Sequence, residues 1–290
     1  MIGILSAFGA AASWTYACFI WRSQTQKYKT IDINLIKNII AFLVFTPAFI
    51  NINSTTELKN IFILLVSGII GIGLGDTFYL KSLQTIGTRK TLSVETLSPL
   101  LAAFSGEIFI NEDLTIKSWF GVIIVSISLF IILKKGNDFK DKSSPLSEKN
   151  NFKIFAFPCL SILCAVLGGL FSRMVFLQSN LSPFITTEIR LLGAIIFLIT
   201  LKGFKINFFL KNIEKKEQKR FLLSILLGTN IGILLQQIVF KTLPIGIGWA
   251  LLSTSPVISL LFAKNEEREI TKKIIFFTCF LIFGLALIII

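Results

Sequence analysis

Residues 60–81 read NIFILLVSGIIGIGLGDTFYLK, and this stretch decides the fold class of the chain. It is almost entirely apolar from Ile61 to Leu74 and then reaches a carboxylate, Asp76. An apolar run of about 20 residues is long enough for an α-helix to cross a hydrocarbon core of about 30 Å. A charge inside such a helix is costly, so Asp76 becomes a candidate functional residue.

The rest of the chain repeats this pattern. Its 290 residues are 53% hydrophobic and 16% charged, with a mean hydropathy of +0.78, which is outside the range of soluble domains. The apolar runs are continuous rather than alternating, so they favour helices over a β-barrel. The sequence therefore predicts an all-α integral membrane protein with ten transmembrane helices, at about 2–21, 32–51, 60–81, 91–110, 116–134, 154–177, 184–202, 221–241, 245–263 and 274–290.

Several classes of function are disfavoured by the residues themselves. The chain has no histidine, which excludes Ser-His-Asp hydrolysis and HExxH zinc chemistry, and it has no GxxxxGK[ST] motif. Its four cysteines lie in apolar spans without metal-ligand spacing. We therefore expect neither an enzyme nor a bound cofactor or metal. The net charge of +13 is carried at helix ends, so it indicates anionic membrane lipids rather than nucleic acid.

A polar segment, residues 135–153 (KGNDFKDKSSPLSEKNNFK), divides the chain into two halves of five spans, 1–134 and 154–290. Its composition predicts a linker. A shift of 157 residues superimposes similar residues of the two halves, including a Gly-x-x-x-Gly pair and a Ser-Pro pair. The matched positions are Leu65, Ser67, Gly71, Gly75, Thr85, Ser98, Pro99, Glu112 and Phe120 with Leu222, Ser224, Gly228, Gly232, Thr242, Ser255, Pro256, Glu269 and Phe277.

The odd number of spans in each half sets their relative orientation. A second half that follows five crossings must enter the membrane in the opposite sense, so the sequence predicts an inverted repeat. Two similar halves of opposite orientation can exchange conformations and open a central site to either side in turn. This architecture is common among secondary transporters.

Two segments carry a family resemblance: ETLSPLLAAFSGEIFINED at 95–113 and STSPVISLLFAKNEERE at 253–269. With the glycine-rich third span, they resemble the EamA group of the drug/metabolite transporter superfamily. Lys37 and Arg190, which match at a shift of 153, also resemble a basic residue that the family carries early in its second and seventh helices. The resemblance implies transport of small organic solutes, often export of amino acids, through a cavity lined by spans one, three, four, six, eight and nine.

Candidate pathway residues in the first half are Asp76, Tyr79 and Glu95. Asp76 either lies at the interface and pairs with Lys81, or turns with Tyr79 toward the cavity, where a carboxylate could bind an ammonium group or a coupling proton. Glu95 needs a partner if it is buried. Pro99 and its match Pro256 are expected to kink their helices, and the pairs Gly71 with Gly75 and Gly228 with Gly232 are expected to allow close helix packing.

The second half has amides in place of this acidic character. Asp76 and Tyr79 match Ile233 and Gln236, and Gln237 follows. Arg190 is the best candidate for binding a carboxylate, whereas Lys37 and Arg173 are expected to extend toward lipid headgroups. Glu188 is expected to cap the start of its helix. Trp14 and Trp249 lie at depth in their spans, where they could wall the cavity or serve ordinary packing.

Three functions remain open at this stage. The leading prediction is a secondary carrier of small polar metabolites, driven by a proton gradient or by exchange. A translocase of lipids or lipid-linked sugars on the same scaffold is the second, and a non-transporting membrane subunit is the third. A monomer or a homodimer would each be compatible with a duplicated chain.

The distribution of basic residues predicts the orientation. Most of the lysine and arginine residues lie in the connections after spans one, three, five, seven and nine. The positive-inside rule places these connections, including 135–153 and 202–220, in the cytoplasm, most simply of a bacterium with the chain in its plasma membrane. Both termini would then face outward, whereas the resemblance implies termini that face inward.

Overall fold

The computed structural model describes residues 1–47, 57–135, 151–204, 209–212, 214–255, 257–258 and 272–289. Regular secondary structure in these ranges is helical, without strands. The helices are α1 (Ile2–Thr25), α2 (Thr30–Phe45), α3 (Leu58–Thr85), α4 (Gly87–Glu95), α5 (Ser98–Ile110), α6 (Ile116–Lys135), α7 (Asn151–Gln178), α8 (Pro183–Leu201), a 3-10 turn (Phe209–Asn212), α9 (Lys215–Thr242), α10 (Ile245–Leu252) and α11 (Lys272–Ile289).

Five helices are long and apolar enough to cross a membrane: α1, α3, α8, α9 and the Ala156–Gln178 part of α7. Shorter apolar helices cover Ser98–Ile110, Ile116–Ile132 and Phe276–Ile289. Large apolar side chains face outward on several helices, as a lipid environment requires. The protein is therefore an integral membrane protein. Each of the ten predicted spans contains a described helix, although the count of ten membrane crossings stays a prediction.

The fourth predicted span is two helices rather than one. α4 ends at Glu95 and α5 begins at Ser98, whose hydroxyl donates a 2.6 Å hydrogen bond to the carbonyl of Glu95. Pro99 lies in the first turn of α5, where its missing N–H has no helical partner to lose. The expected kink at Pro99 is thus a helix break just before it. Pro256, the matching kink, lies outside the described residues.

The helix boundaries repeat between the two halves at the sequence offsets. α2 begins at Thr30 and α8 at Pro183, which are 153 residues apart, and α3 and α9 span 28 residues each at an offset of 157. Both of the latter contain a seven-residue π-helical segment, Ile69–Gly75 and Ile225–Ile231. These shared boundaries are what a duplicated chain predicts.

Corresponding helices run in opposite directions. Gln84, at the end of α3, donates a hydrogen bond to the carbonyl of Thr25, at the end of α1. Lys27, two residues on, pairs with Glu217 at the start of α9, so the end of α3 and the start of α9 lie on one face. Because Lys202, after α8, pairs with Asp32 near the start of α2, that face also holds these two ends. We call it the basic face, since the lysine-rich connections after spans one, three and seven meet there.

The described helices also set the limits of the connection between the two halves. α6 runs to Lys135 and α7 begins at Asn151, so both ends of the expected 135–153 linker are helical. Residues 136–150 lie outside the described residues.

Two hydrophobic clusters meet along α1 and α9. The first contains Ala7 and Ala10 of α1 with Val239 and Phe240 of α9. The second contains residues from the opposite ends of α1 and α9, together with residues of α2, α3 and α8. Trp14 packs against both clusters, and the space beside it is the cavity described next.

Candidate functional site

A cavity of about 140 Å³ lies between the two halves of the chain. It is lined by residues of α1 to α5 from the first half and of α7, α8, α9 and the end of α10 from the second. The polar and aromatic lining residues are Trp14, Thr15, Cys18, Phe19, Trp21, Lys37, Asp76, Tyr79, Thr88, Glu95, Ser98, Ser161, Arg190, Gln236, Trp249, Ser253 and Ser255.

Asp76 faces this cavity and is paired with Lys37 rather than with Lys81. Lys37 Nζ lies 2.5 Å from Asp76 Oδ2, and the lysine side chain is only 1% exposed. The same ammonium lies 5.3 Å from the ring centroid of Trp21, within the range of a cation–π contact. The expectation that Lys37 extends toward headgroups is therefore wrong, because a buried charge gains more from a charged partner than from a distant interface. Lys81 instead donates to Gln84.

Arg190 enters the cavity from α8 and is 2% exposed. Its Nε and Nη1 atoms make no hydrogen bond within the described residues. Its Nη2 lies beside α3, 3.0 Å from the point where a Cβ on Gly71 would stand. The guanidinium is therefore a buried cation with unused donors.

Two further predicted residues of the first half line the same space. Tyr79 Oη lies 3.2 Å from Cys18 Sγ, which fixes the phenol against α1. Glu95, at the end of α4, is partly buried and has no ion pair with any basic side chain that the structure describes. Glu95 thus gives the cavity a carboxylate that no described basic side chain neutralises.

The two glutamines of α9 separate. Gln236 lines the cavity, whereas Gln237 does not. Gln237 is completely buried, and neither atom of its amide has a hydrogen-bond partner in the described part of the chain. Successive helical residues point about 100° apart, so neighbours in sequence need not share a face. Gln237 therefore does not line this cavity.

Trp14 and Trp249 both form part of the wall. Trp249 is 8% exposed and packs against Phe240, with ring centroids 6.0 Å apart. Its indole nitrogen makes no hydrogen bond to any described group. Each tryptophan therefore serves packing and borders the cavity at once.

The glycines of α3 and α9 lie at close helix contacts. A Cβ added at Gly71 would stand 3.3 Å from the Cα of Gly168, and one at Gly75 would stand 3.3 Å from the Cβ of Cys164. The matching glycines are tighter: at Gly228 a Cβ would lie 2.4 Å from Ala17, and at Gly232 it would lie 2.7 Å from the indole of Trp14. Small residues therefore bring α7 against α3 and α1 against α9 around the cavity.

The sequence profile of the EamA-like transporter family matches residues 1–134 and 152–290, which is nearly the whole chain. The chain belongs to the EamA family. EamA membership agrees with the resemblance carried by the 95–113 and 253–269 segments. EamA proteins are membrane transporters of the drug/metabolite superfamily.

A solved structure supports the fold of this EamA protein. It is described as "Crystal structure of protein" and is 15% identical in sequence to this chain. The two superpose with a TM-score of 0.75 over 99% of this chain and 98% of the other. At this identity the likeness concerns the fold alone. No curated protein matches the sequence.

Three polar residues of the EamA chain were missed or misread from the sequence. Lys37 is a cavity residue, and its match with Arg190 at the shift of 153 was the signal that could have shown it. Glu188 does not cap its helix, because the hydroxyl of Ser182 accepts the N–H of Ile185 instead. Arg173 does not extend to lipid: its Nε lies 2.5 Å from Glu112.

Proposed function

We propose that this EamA protein is a secondary carrier of small polar metabolites, such as amino acids and related solutes, and that it works by alternating access. The observation that carries this proposal is the cavity, which presents a buried guanidinium without a described partner and a carboxylate without a described counter-ion. These groups suit a solute that bears both signs of charge. Export is the direction that the family favours.

The cavity residues have complementary parts in such a cycle. Arg190 would hold an anionic group, Glu95 or Asp76 an ammonium group, and Trp14 and Trp249 would enclose the apolar part of the solute. Because the two halves run in opposite directions, an exchange of their conformations would open the cavity to one face and then to the other. Asp76 and Glu95 are the proposed proton carriers if transport is coupled to a proton gradient; exchange of solutes is the other driving force.

The balance of charge disfavours lipid-linked sugars as substrates. Among the described lining residues, the cations are Lys37 and Arg190 and the anions are Asp76 and Glu95. A phosphate-bearing headgroup is usually held by an excess of arginine and lysine. The mixed charge therefore favours a small polar solute. Both halves contribute to the one cavity, so a monomer would contain a complete transport unit.

We also propose that the basic face is cytoplasmic in a bacterial plasma membrane. The lysine-rich connections that meet on this face are the feature that the positive-inside rule uses. The 135–153 and 202–220 connections would then be cytoplasmic, and the termini would face outward.

Solute counterflow in proteoliposomes tests the proposal. Proteoliposomes that contain the purified protein would be loaded with a pool of amino acids, sugars or nucleosides. The same pool, labelled, would then be added outside. We expect saturable counterflow for one pool, with strong loss in Asp76→Asn and Glu95→Gln. Lys27→Gln, at an exposed ion pair away from the cavity, is the matched control and should keep wild-type rates. Folded protein without counterflow for any pool would contradict the proposal and favour a lipid substrate or a non-transporting subunit.

A further inference from the structure

The two halves place equivalent basic residues in one cavity but neutralise only one of them. Lys37 of α2 and Arg190 of α8 are 153 residues apart, the same offset as the first residues of these helices. Asp76 of α3 matches Ile233 of α9 at 157, the offset of that helix pair. All four residues line the cavity.

In the first half the pair is complete. The carboxylate of Asp76 receives the ammonium of Lys37 at 2.5 Å, so the two charges compensate each other. In the second half the equivalent pair is Arg190 with Ile233, and an isoleucine has no group to accept a hydrogen bond. The guanidinium of Arg190 is accordingly left with Nε and Nη1 unpartnered among the described residues, although it is 2% exposed.

A cation buried to this extent is expensive unless a counter-ion reaches it. Arg190 and Lys37 lie on equivalent helix pairs, because α8 packs against α9 as α2 packs against α3. In the second half Ile233 stands at the position equivalent to Asp76. Asp76 itself acts electrostatically on Arg190 across the cavity, but its carboxylate is already paired with Lys37. No described acid makes an ion pair with Arg190, so a bound solute could supply its counter-ion.

We infer that a carboxylate of the transported solute binds Arg190 in the role that Asp76 plays for Lys37, and that Ile233 sets this specificity by leaving the position uncharged. This inference rests on the proposed function and narrows it to solutes that carry a carboxylate. Arg190 would bind the solute directly. Ile233 would act as a specificity residue, since an acid in its place would neutralise Arg190 from within.

A carboxylate suits this position better than a phosphate. The guanidinium is planar and matches two carboxylate oxygens at once, and a single buried arginine balances one negative charge. Glu95, the cavity carboxylate without a described ion pair, would oppose a second negative charge on the solute. The same carboxylate could receive an ammonium group, so an amino acid would satisfy both ends of the site.

The test measures binding separately from transport. Full-length protein in detergent would be heated with sodium acetate or with acetamide, at constant ionic strength set with sodium chloride, and unfolding would be followed by tryptophan fluorescence. We expect acetate, but not acetamide, to raise the unfolding temperature of the wild type. Ile233→Asp and Arg190→Gln should raise the half-saturating acetate concentration about tenfold or more, the effect of losing one charged hydrogen-bonded partner.

Ile233→Asn is the matched comparison, because it has the size of aspartate without its charge. Its amide oxygen can accept one hydrogen bond from Arg190, so it should weaken the acetate response clearly less than Ile233→Asp does. An Ile233→Asp variant that responds like Ile233→Asn would overturn the inference. If Ile233→Asp does not fold, an unchanged acetate response in Arg190→Gln would overturn it instead.

Counterflow then separates the two proposals. If the protein shows no counterflow but its acetate response depends on Arg190 and Ile233, the result would support the carboxylate site and contradict the proposed carrier function. Counterflow that is indifferent to Ile233→Asp would keep the carrier and reject the carboxylate site.

Discussion

Arg173 donates a 2.5 Å hydrogen bond to Glu112, and this pair ties together the chain on the face opposite the basic face. The Nη1 group of Arg173 also donates to the carbonyls of Phe240 and Lys241 at the end of α9. Glu112 accepts a second hydrogen bond, of 2.7 Å, from the N–H of Ile245 at the start of α10. One ion pair therefore satisfies backbone groups at two helix ends.

Breaking this pair should destabilise the protein more than breaking an exposed pair. Arg173→Gln leaves a mostly buried carboxylate and two carbonyls without their donor, and we expect a loss of about 2 kcal/mol in unfolding free energy. Thermal unfolding in detergent would measure it. Lys27→Gln, whose partner Glu217 lies at the surface, is the control and should unfold with the wild type. Equal unfolding temperatures for both variants would contradict the role assigned to Arg173.

The Lys37–Asp76 pair should show coupling in a double-mutant cycle. Either Lys37→Met or Asp76→Asn leaves the other residue without its partner, whereas the double variant removes both charges together. We therefore expect the double variant to lose less stability than the sum of the singles, by roughly 1–3 kcal/mol. Unfolding of the four proteins gives the coupling directly. Additive losses would mean that the two side chains do not interact in the membrane.

Gly68 should tolerate no larger residue. A Cβ there would stand 1.9 Å from the carbonyl oxygen of Arg190, and a backbone atom cannot swing aside as a flexible side chain can. We expect Gly68→Ala to lower the yield of folded protein severely. Gly75→Ala, with its nearest neighbours 3.3 Å away, is the matched control and should fold. Size-exclusion profiles of the two purified variants would compare them, and similar profiles would contradict this tight contact.

Cysteine labelling should fix the orientation of the chain. In a cysteine-free background, Ser23→Cys lies exposed near the basic face and Asp113→Cys lies exposed beyond α5, next to Glu112 on the opposite face. We expect a membrane-impermeant maleimide to label Asp113→Cys in intact cells and Ser23→Cys after permeabilisation alone. The reverse pattern would place the basic face outside and restore the orientation usual for the family.

The apolar runs predicted the helices well, because the membrane leaves few alternatives to a continuous hydrogen-bonded backbone. The offsets of 153 and 157 likewise anticipated helix boundaries that share the same register. The sequence could not show toward which neighbour each side chain points around its helix. Gln236 and Gln237 look alike in sequence, yet one lines the cavity and the other is buried away from it.

Partners across helices were equally hidden from the sequence. Lys37 and Asp76 are 39 residues apart, and nothing in their local sequences joins them. The break before Pro99 depended on Ser98, whose hydroxyl satisfies the carbonyl of Glu95 and so lets the helix end there. The first π-helical segment has only the glycines of GIGLG as a signal, and these predict close helix packing. The second, ILLGTNI, has a single glycine.

The glycine contact between α3 and α8 limits how the halves can move. At Gly68 the backbone of α3 touches that of α8, and at Gly193 a Cβ would stand 2.3 Å from the carbonyl oxygen of Leu65. Two backbones in contact can roll over one another, but pulling them apart would open a void that no side chain fills. In the proposed alternating-access cycle, this seam would be the contact about which the halves turn. Arg190, whose carbonyl lies in it, would keep its depth in the membrane while the surrounding walls tilt.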